Sequence, residues 1–271
     1  MPRPTPYTEL NDVLSELVTS VRSILGDHFL GAYLQGSFAG GDFDCYSDAD
    51  FLVVIKHDIS EAELSALQNM HARIHDLGSY WATHLERSYF PKDVLSDNSR
   101  LSEQLWFLNN TSRTLIRSNH DNTLVVRWVL WEYGISLAGP IPQTLLTPMS
   151  TNALKQEVLN TMSDWGQQIL ANPEQINKWW AQPLAVLSYC RMLHTLETGR
   201  VTSKRAAAQW AQANLDQTWA ELVRRSWDER EQHKTRAGQL AHPVDHMRTV
   251  EFIRYALETA KAFGTHLTRS S

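Results

Sequence analysis

The chain has 271 residues, 42% of them hydrophobic, and a formal net charge of -5 at pH 7. This length suits one large domain or two ordinary ones, and the acidic balance argues against a nucleic-acid partner, which needs a basic surface. No apolar run approaches the length that spans a bilayer, and the opening MPRPTPYTEL lacks the apolar core of a signal peptide, so we expect a cytoplasmic protein without membrane contact.

The first half of the chain alternates predicted helices with predicted strands. Apolar residues at helical spacing predict a helix over residues 8–25 that Gly26 ends. Ser60 and Glu63 are spaced as a capping box, which opens a helix running to Asp76. The remaining predicted elements are strands at residues 29–34, 51–55, about 80–89 and 113–118, and a helix at 124–137. Strands separated by helices indicate a mixed sheet covered by helices.

A proline-rich segment from Ala138 to Pro148 divides the chain. Its three prolines and one glycine cannot continue a helix, so we predict one domain over residues 1–147 and a second over 148–271. Only helical patterns follow, at residues 151–171, 174–198, 203–214, 217–233 and 244–266. The predicted fold class is therefore α+β, with a mixed-sheet domain followed by an all-α helical bundle.

The stretch GSFAGGDFDCYSDAD, residues 36–50, is the most informative part of the sequence. Asp48 and Asp50 stand where a strand opens, and side chains at positions i and i+2 of a strand point to the same face. Two neighbouring carboxylates repel each other unless a cation neutralises them, and hard divalent cations take oxygen ligands. Gly36 lets backbone N–H groups approach an anion, and Ser37 adds a hydroxyl donor. The pattern predicts phosphate beside a metal ion, and the alternative is a polar turn capping a buried strand.

This arrangement resembles the signature of the DNA polymerase beta-like nucleotidyltransferase superfamily, in which GS is followed by D-x-D about ten residues later. The matching residues here are Gly36, Ser37, Ser47, Asp48 and Asp50. The superfamily places a third carboxylate on a later strand, and Glu86 in THLERSYF occupies that place. For Glu86 alone, the alternative is an exposed acid on a strand.

A second resemblance lies in the segment YCRMLHTLETGRVTSKRAAAQWA, residues 189–211. It is similar to the C-terminal helical domain of aminoglycoside adenylyltransferases of the spectinomycin and streptomycin type, where a CR-like pair, a TG pair and a lysine precede an alanine-rich helix ending in WA. The matching residues are Cys190, Arg191, Thr198, Gly199, Lys204, Ala206, Ala207, Ala208, Trp210 and Ala211. Together with the first motif and the AGP turn, the resemblance covers most of the chain.

The resemblance implies a role for each motif residue. It implies that Asp48 and Asp50 bind Mg2+, that Glu86 is the general base, that Gly36, Ser37 and Ser47 contact the phosphates of ATP, and that Arg191 and Lys204 reach the triphosphate from the helical domain. Lys204 also follows a Thr-Ser pair at a predicted helix N-terminus, where backbone donors favour an anion. A solvated surface lysine and a structural ion pair of Arg191 are the alternatives.

The implied reaction transfers AMP from ATP, as co-substrate, to a hydroxyl of an aminocyclitol or aminoglycoside antibiotic and so gives resistance. In the family, acids before the CR pair help to hold streptomycin, but Asn177 and Ala181 stand at those places here. This favours spectinomycin, which carries fewer positive charges. Trp106, Trp179 and Trp180 are candidates for an apolar platform under the acceptor, and ordinary core packing is their alternative.

Two other function classes remain open at this stage. A similar fold adenylylates a protein or RNA partner in toxin–antitoxin pairs, although the appended bundle argues against a protein target and the acidic balance against RNA. A non-catalytic nucleotide-binding module is expected to lack one of the three motif acids, and all three are present. We expect a monomer whose partners are ATP and a small-molecule acceptor.

Overall fold

The computed structural model describes residues 3–43, 47–230, 236 and 238–267. Contacts between residues divide the chain into two compact units, Met1–Met149 and Ser150–Ser271. The boundary predicted at residues 147 and 148 lies two residues earlier. None of the helices in the described ranges is both long enough and apolar enough to cross a membrane.

The first unit combines a six-stranded sheet with helices. Its helices are α1 (Thr8–Leu25), α2 (Gly36–Ala39), α3 (Glu61–His75), α4 (Tyr80–Thr83), α5 (Lys92–Ser96) and α6 (Leu124–Tyr133). Its strands are β1 (Phe29–Leu34), β2 (Ala49–Ile55), β3 (Leu85–Pro91), β4 (Leu105–Leu108), β5 (Leu115–Ser118) and β6 (Ile135–Ala138). They lie in the order β5-β4-β3-β2-β1-β6. Strands β2 and β3 run parallel, while their neighbours pair antiparallel.

Two apolar clusters cover the two faces of this sheet. On one face, the alternate β2 residues Phe51 and Val53 pack in a cluster with buried residues of α1 and α3. On the other face, Leu52 and Val54 pack in a cluster that includes Leu130 of α6. The even-numbered β2 side chains therefore share a face, and that face also includes Asp50.

Several predictions for the first unit are confirmed and two are wrong. Helix α1 has the predicted bounds, and Ser60 with Glu63 forms the capping box that opens α3. The predicted strand at 80–89 is wrong at its start, because Ser79 caps a helical turn at Tyr80–Thr83 and β3 begins at Leu85. The predicted helix at 124–137 ends at Tyr133, after which residues 135–138 pair with β1 as an edge strand.

The second unit is built from helices, and no strand occurs among its described residues. They are α7 (Thr151–Ala171), α8 (Ala181–Thr198), α9 (Lys204–Asn214), α10 (Ala220–Glu229) and α11 (Pro243–Leu267). Helix α8 packs against the other four. The helix predicted to start at residue 174 is wrong there, since Pro173–Ile176 forms a separate 3-10 turn and α8 starts at Ala181. Residues 231–233 of the predicted helix 217–233 lie outside the described residues. The α+β class, a mixed-sheet domain followed by a helical bundle, is confirmed.

Candidate active site

Two of the motif acids are direct neighbours on adjacent strands. Asp50 of β2 lies opposite Glu86 of β3 in the parallel register, so both side chains point to the same face of the sheet. Each residue is half-buried, and each is the second residue of its strand. Asp48 lies immediately before β2 and is also half-buried. The pair of carboxylates therefore stands at the edge of the sheet where β2 and β3 begin.

The turn after β1 lies directly against Asp50. Gly36 has a positive φ of 66°, a conformation that residues with a β-carbon adopt at a cost. A β-carbon at Gly36 would also come within 1.7 Å of Oδ2 of Asp50. Glycine is thus required here for both backbone geometry and space. Ser37 follows in α2, and its carbonyl accepts from the N–H of Asp42 at 3.2 Å, which closes the turn.

Ser47 is held from the other side of the motif. The indole Nε1 of Trp81, a buried residue of α4, donates to the Ser47 carbonyl at 3.2 Å. The N–H of Ala49 donates to the carbonyl of His84 at 2.9 Å. These two bonds fix the backbone on both sides of Asp48.

Gln35, which directly follows β1, continues the row formed by Asp50 and Glu86, called the acidic row below, and no sequence motif identified it. Its N–H donates to the Asp50 carbonyl at 2.9 Å, which continues the pairing of Leu34 with Phe51. Gln35 is 1% exposed, and neither atom of its carboxamide has a hydrogen-bond partner within the described ranges. An unsatisfied buried polar group costs about 1–3 kcal/mol. The sequence signal that could have identified Gln35 is its position in YLQGS, where a polar residue lies directly between a buried strand and the GS turn.

The donor chemistry of this row fits a Mg2+ ion that carries a nucleotide. Mg2+ is commonly bound by one or two carboxylates together with substrate phosphates, and Asp50 with Glu86 provides two carboxylates beside a glycine turn. The structure does not assemble the three acids into a ready cluster: among the described residues, no group of three His, Cys, Asp or Glu side chains could hold a metal ion by itself.

A buried polar network supports β3 below Glu86. Ser88, two residues further along the strand on the same face, donates to Oδ2 of the buried Asp121 at 2.8 Å. Arg127 of α6 is fully buried. Its guanidinium donates to four oxygens, which are the carbonyls of Val94 and Asp97 and the side-chain oxygens of Asn98 and Asn122. Because breaking such a network leaves buried charge unpaired, it stiffens the scaffold under the acids.

The second unit brings its two predicted phosphate-binding residues close in space. Lys204 is the first residue of α9, whose N-cap Ser203 accepts from the N–H of Ala206 at 3.0 Å. Nε of Arg191, on α8, donates to the carbonyl of Thr202 at 2.9 Å, two residues before Lys204. A helix N-terminus with two cationic side chains suits a phosphate group.

The three candidate tryptophans differ in their surroundings. Trp106 pairs with Tyr89 and packs in the apolar cluster on the face opposite to the acids, and the Arg117 guanidinium lies 4.3 Å from its ring centroid. Trp179 is 9% exposed, and its backbone N–H donates to the carbonyl of Gln239. Trp180 is 42% exposed. The structure therefore separates Trp106 from the acidic row and makes Trp179 part of the packing, while Trp180 is available at the surface of its unit.

The chain resembles known proteins in both sequence and fold. Residues 144–257 match the family model described as aminoglycoside adenylyltransferase, C-terminal domain. Spectinomycin 9-adenylyltransferase of Staphylococcus aureus is 23% identical over 200 residues, which are 70% of this chain and 74% of that protein. Aminoglycoside (3'') (9) adenylyltransferase of Shigella flexneri is 23% identical over 276 residues, covering 97% and 99%.

A solved structure resembles the whole chain. The crystal structure of spectinomycin adenyltransferase AAD(9) from Enterococcus faecialis, determined with ATP and spectinomycin, matches with a TM-score of 0.68 and 14% identity, over 92% of this chain and 98% of that one. The relatives named as adenylyltransferases, together with the paired acids beside a glycine turn, identify the chain as a nucleotidyltransferase enzyme. Within that class, the chain is similar to aminoglycoside adenylyltransferases, through the family model over residues 144–257 and through relatives that are 23% identical.

Proposed function

We propose that the protein transfers AMP from ATP to a hydroxyl of an aminocyclitol antibiotic, with spectinomycin as the first candidate, and that it thereby gives resistance. The observation that carries this proposal is the in-register pair of Asp50 and Glu86 beside the Gly36 turn. Relatives named for spectinomycin support the acceptor class. We further propose that the protein acts in the cytoplasm as a monomer, with no nucleic-acid partner.

In this proposal, the acidic row carries the chemistry. Asp48 and Asp50 hold Mg2+, and Gly36, Ser37 and Ser47 receive the phosphates. A bound Mg2+ would supply neutralisation of the triphosphate and polarisation of the α-phosphorus. Glu86 accepts the proton of the acceptor hydroxyl, for which a half-buried carboxylate next to a second acid is suitable. Arg191 and Lys204 of the helical unit are the proposed cationic ligands of the ATP phosphates.

The acceptor surface of the helical unit is apolar and cationic rather than acidic. Trp180 has helical backbone angles at the start of α8, so Trp180, Leu184 and Arg191 fall within roughly 40° of one another around the helix, with the tryptophan and the arginine roughly 16 Å apart along its axis. Trp180 and Leu184 are both exposed. Asn177 donates to the Glu174 carboxylate, and Ala181 is buried. This surface suits a compact ring better than the polycation streptomycin, because Asn177 and Ala181 supply no carboxylate and Asn177 already donates to the Glu174 carboxylate.

The test is an adenylylation assay with ATP and Mg2+ in the presence of spectinomycin, streptomycin, or no acceptor. We expect pyrophosphate release with spectinomycin and a product that mass spectrometry shows to carry one AMP. Glu86→Gln should abolish turnover while ATP still binds, and Glu61→Gln, at an exposed acid on α3, should leave it unchanged. Turnover that requires a protein or RNA fraction would contradict the proposal, and so would ATP binding without turnover across an antibiotic panel.

A further inference from the structure

Gln35 carries a buried carboxamide that the roles above leave unused. The residue is 1% exposed, and neither its amide nitrogen nor its amide oxygen has a hydrogen-bond partner among the residues the structure describes. An apolar side chain of similar length would fill the same space without burying unsatisfied polar atoms. A buried polar group without a hydrogen bond in the folded protein is therefore a candidate for forming one when a ligand binds.

The position of Gln35 identifies the group it can serve. Its backbone is extended, with φ -140° and ψ -156°, and its N–H donates to the Asp50 carbonyl. Residues paired in this way across antiparallel strands have Cα atoms about 5.5 Å apart and side chains on the same face. Gln35, Asp50 and Glu86 thus form a row across β1, β2 and β3, with Asp50 in the middle.

The row next to Gln35 on the inward side offers its amide no free partner. The next row inward on this face includes Tyr33 and Leu52, both fully buried in the apolar cluster, and the Tyr33 hydroxyl already donates to the Pro140 carbonyl at 2.8 Å. The polar groups closest in the row are the carboxylates. The carboxylate of Asp50 is therefore the acceptor that the Gln35 amide nitrogen can reach.

We propose that Gln35 is a positioning residue for Asp50: its Nε2–H donates to one carboxylate oxygen of Asp50 when the other oxygen binds the cation that accompanies the nucleotide. The inference rests on the proposed function, which supplies that cation. A carboxylate has two oxygens and about four acceptor sites, so it can bind a cation and accept a hydrogen bond together. Partners of this kind orient metal ligands, and their loss lowers metal affinity about 10- to 100-fold.

The experiment measures Mn2+ binding to the full chain by electron paramagnetic resonance, in the presence of a non-hydrolysable ATP analogue. In Gln35→Met, which keeps the length and removes the amide, we expect the Mn2+ dissociation constant to rise about tenfold. We expect the melting temperature of the metal-free protein to stay the same or rise, because the unsatisfied amide is gone. Tyr33→Phe is the matched control on the same strand and face, and it should lower the melting temperature while Mn2+ affinity stays at the wild-type value.

Each possible result decides a different question. If Gln35→Met binds Mn2+ like the wild type, or loses stability with unchanged Mn2+ affinity, the amide is structural and the inference is wrong. If the wild type binds neither Mn2+ nor the ATP analogue and forms no product, the proposed function fails first and this inference with it. Gln35→Leu repeats the comparison if Gln35→Met does not fold.

Discussion

Substituting Gly36 by alanine tests the contact between the turn and the acidic row. The added β-carbon would lie 1.7 Å from Oδ2 of Asp50, whereas ordinary contacts begin at 3.4 Å, so the carboxylate must move by about 1.7 Å. Displacing a reacting group by about 1 Å can lower a rate about 100-fold. We therefore expect the kcat for AMP transfer in Gly36→Ala to fall at least about 100-fold. The positive φ of 66° adds a stability loss of about 1–2 kcal/mol.

A second glycine separates the two effects. Gly78, after α3, has a φ of 70°, and a β-carbon there would meet nothing within 4 Å. Gly78→Ala should therefore lose about the same 1–2 kcal/mol in urea unfolding while its kcat stays at the wild-type value. The assay is steady-state product formation for both variants at matched folded fractions. Equal kcat values for Gly36→Ala and the wild type would refute the reasoning that the glycine keeps the Asp50 carboxylate in place.

Three further predictions concern other parts of the chain. Lys204→Ala should raise the KM for ATP about ten- to a hundredfold, the loss of one hydrogen bond from a charged group, as steady-state kinetics would show. Trp180→Ala should raise the KM for the acceptor without changing that for ATP, whereas Trp179→Ala should lower the melting temperature, because Trp179 is 9% exposed. Burial lowers the pKa of His71 to about 3. Below about pH 6.5 the unfolded chain therefore binds a proton at His71, while His71 of the folded protein stays neutral. Stability should therefore be full above pH 6.5 and about 2 kcal/mol lower at pH 5, and His71→Gln should remove that loss in urea unfolding.

Each of these predictions has a control in the chain. Arg205, next to Lys204, stacks on the Trp227 ring at 5.2 Å, so Arg205→Ala should leave the KM for ATP unchanged. An equal effect of both substitutions would mean that general positive charge, rather than the first position of α9, binds the nucleotide. A Trp180→Ala enzyme with unchanged acceptor KM would remove the residue from the acceptor surface. Wild-type and His71→Gln proteins with parallel pH profiles would show that His71 already binds a proton in the fold.

Local signals in the sequence predicted much of the fold. The bounds of α1 and the capping box of α3 depend on residues within one or two helical turns, so periodicity and spacing identify them. The short strands β4 and β6 lack a clear local signal, because pairing with neighbouring strands decides their conformation. Gly134 ends α6 although the apolar pattern continues beyond it, and residues after it become an edge strand only because β1 is there to pair with them.

The candidate site also combines features that local sequence signals predicted with features that depend on the folded structure. The spacing of the GS and D-x-D motif led to Gly36 and Asp50, but their mutual contact depends on a positive φ and on a strand pairing that no short window contains. The proposed role of Gln35 depends on the burial of its side chain, and the burial of a single polar residue cannot be inferred from the sequence. Trp106 was assigned to the acceptor site from its type alone, and the parity of its position on β4 places it on the opposite face.

The parallel pairing of β2 with β3 determines where the segments that enter the two strands lie. Since both strands run the same way and carry their acids at the second residue, the residues that enter them, 47–48 and 76–84, arrive at one rim of the sheet. An insertion at the exposed residues 76–78 would change that rim while it leaves unchanged the register that aligns Asp50 with Glu86. The shape of this rim and the alignment of the two carboxylates can therefore vary independently.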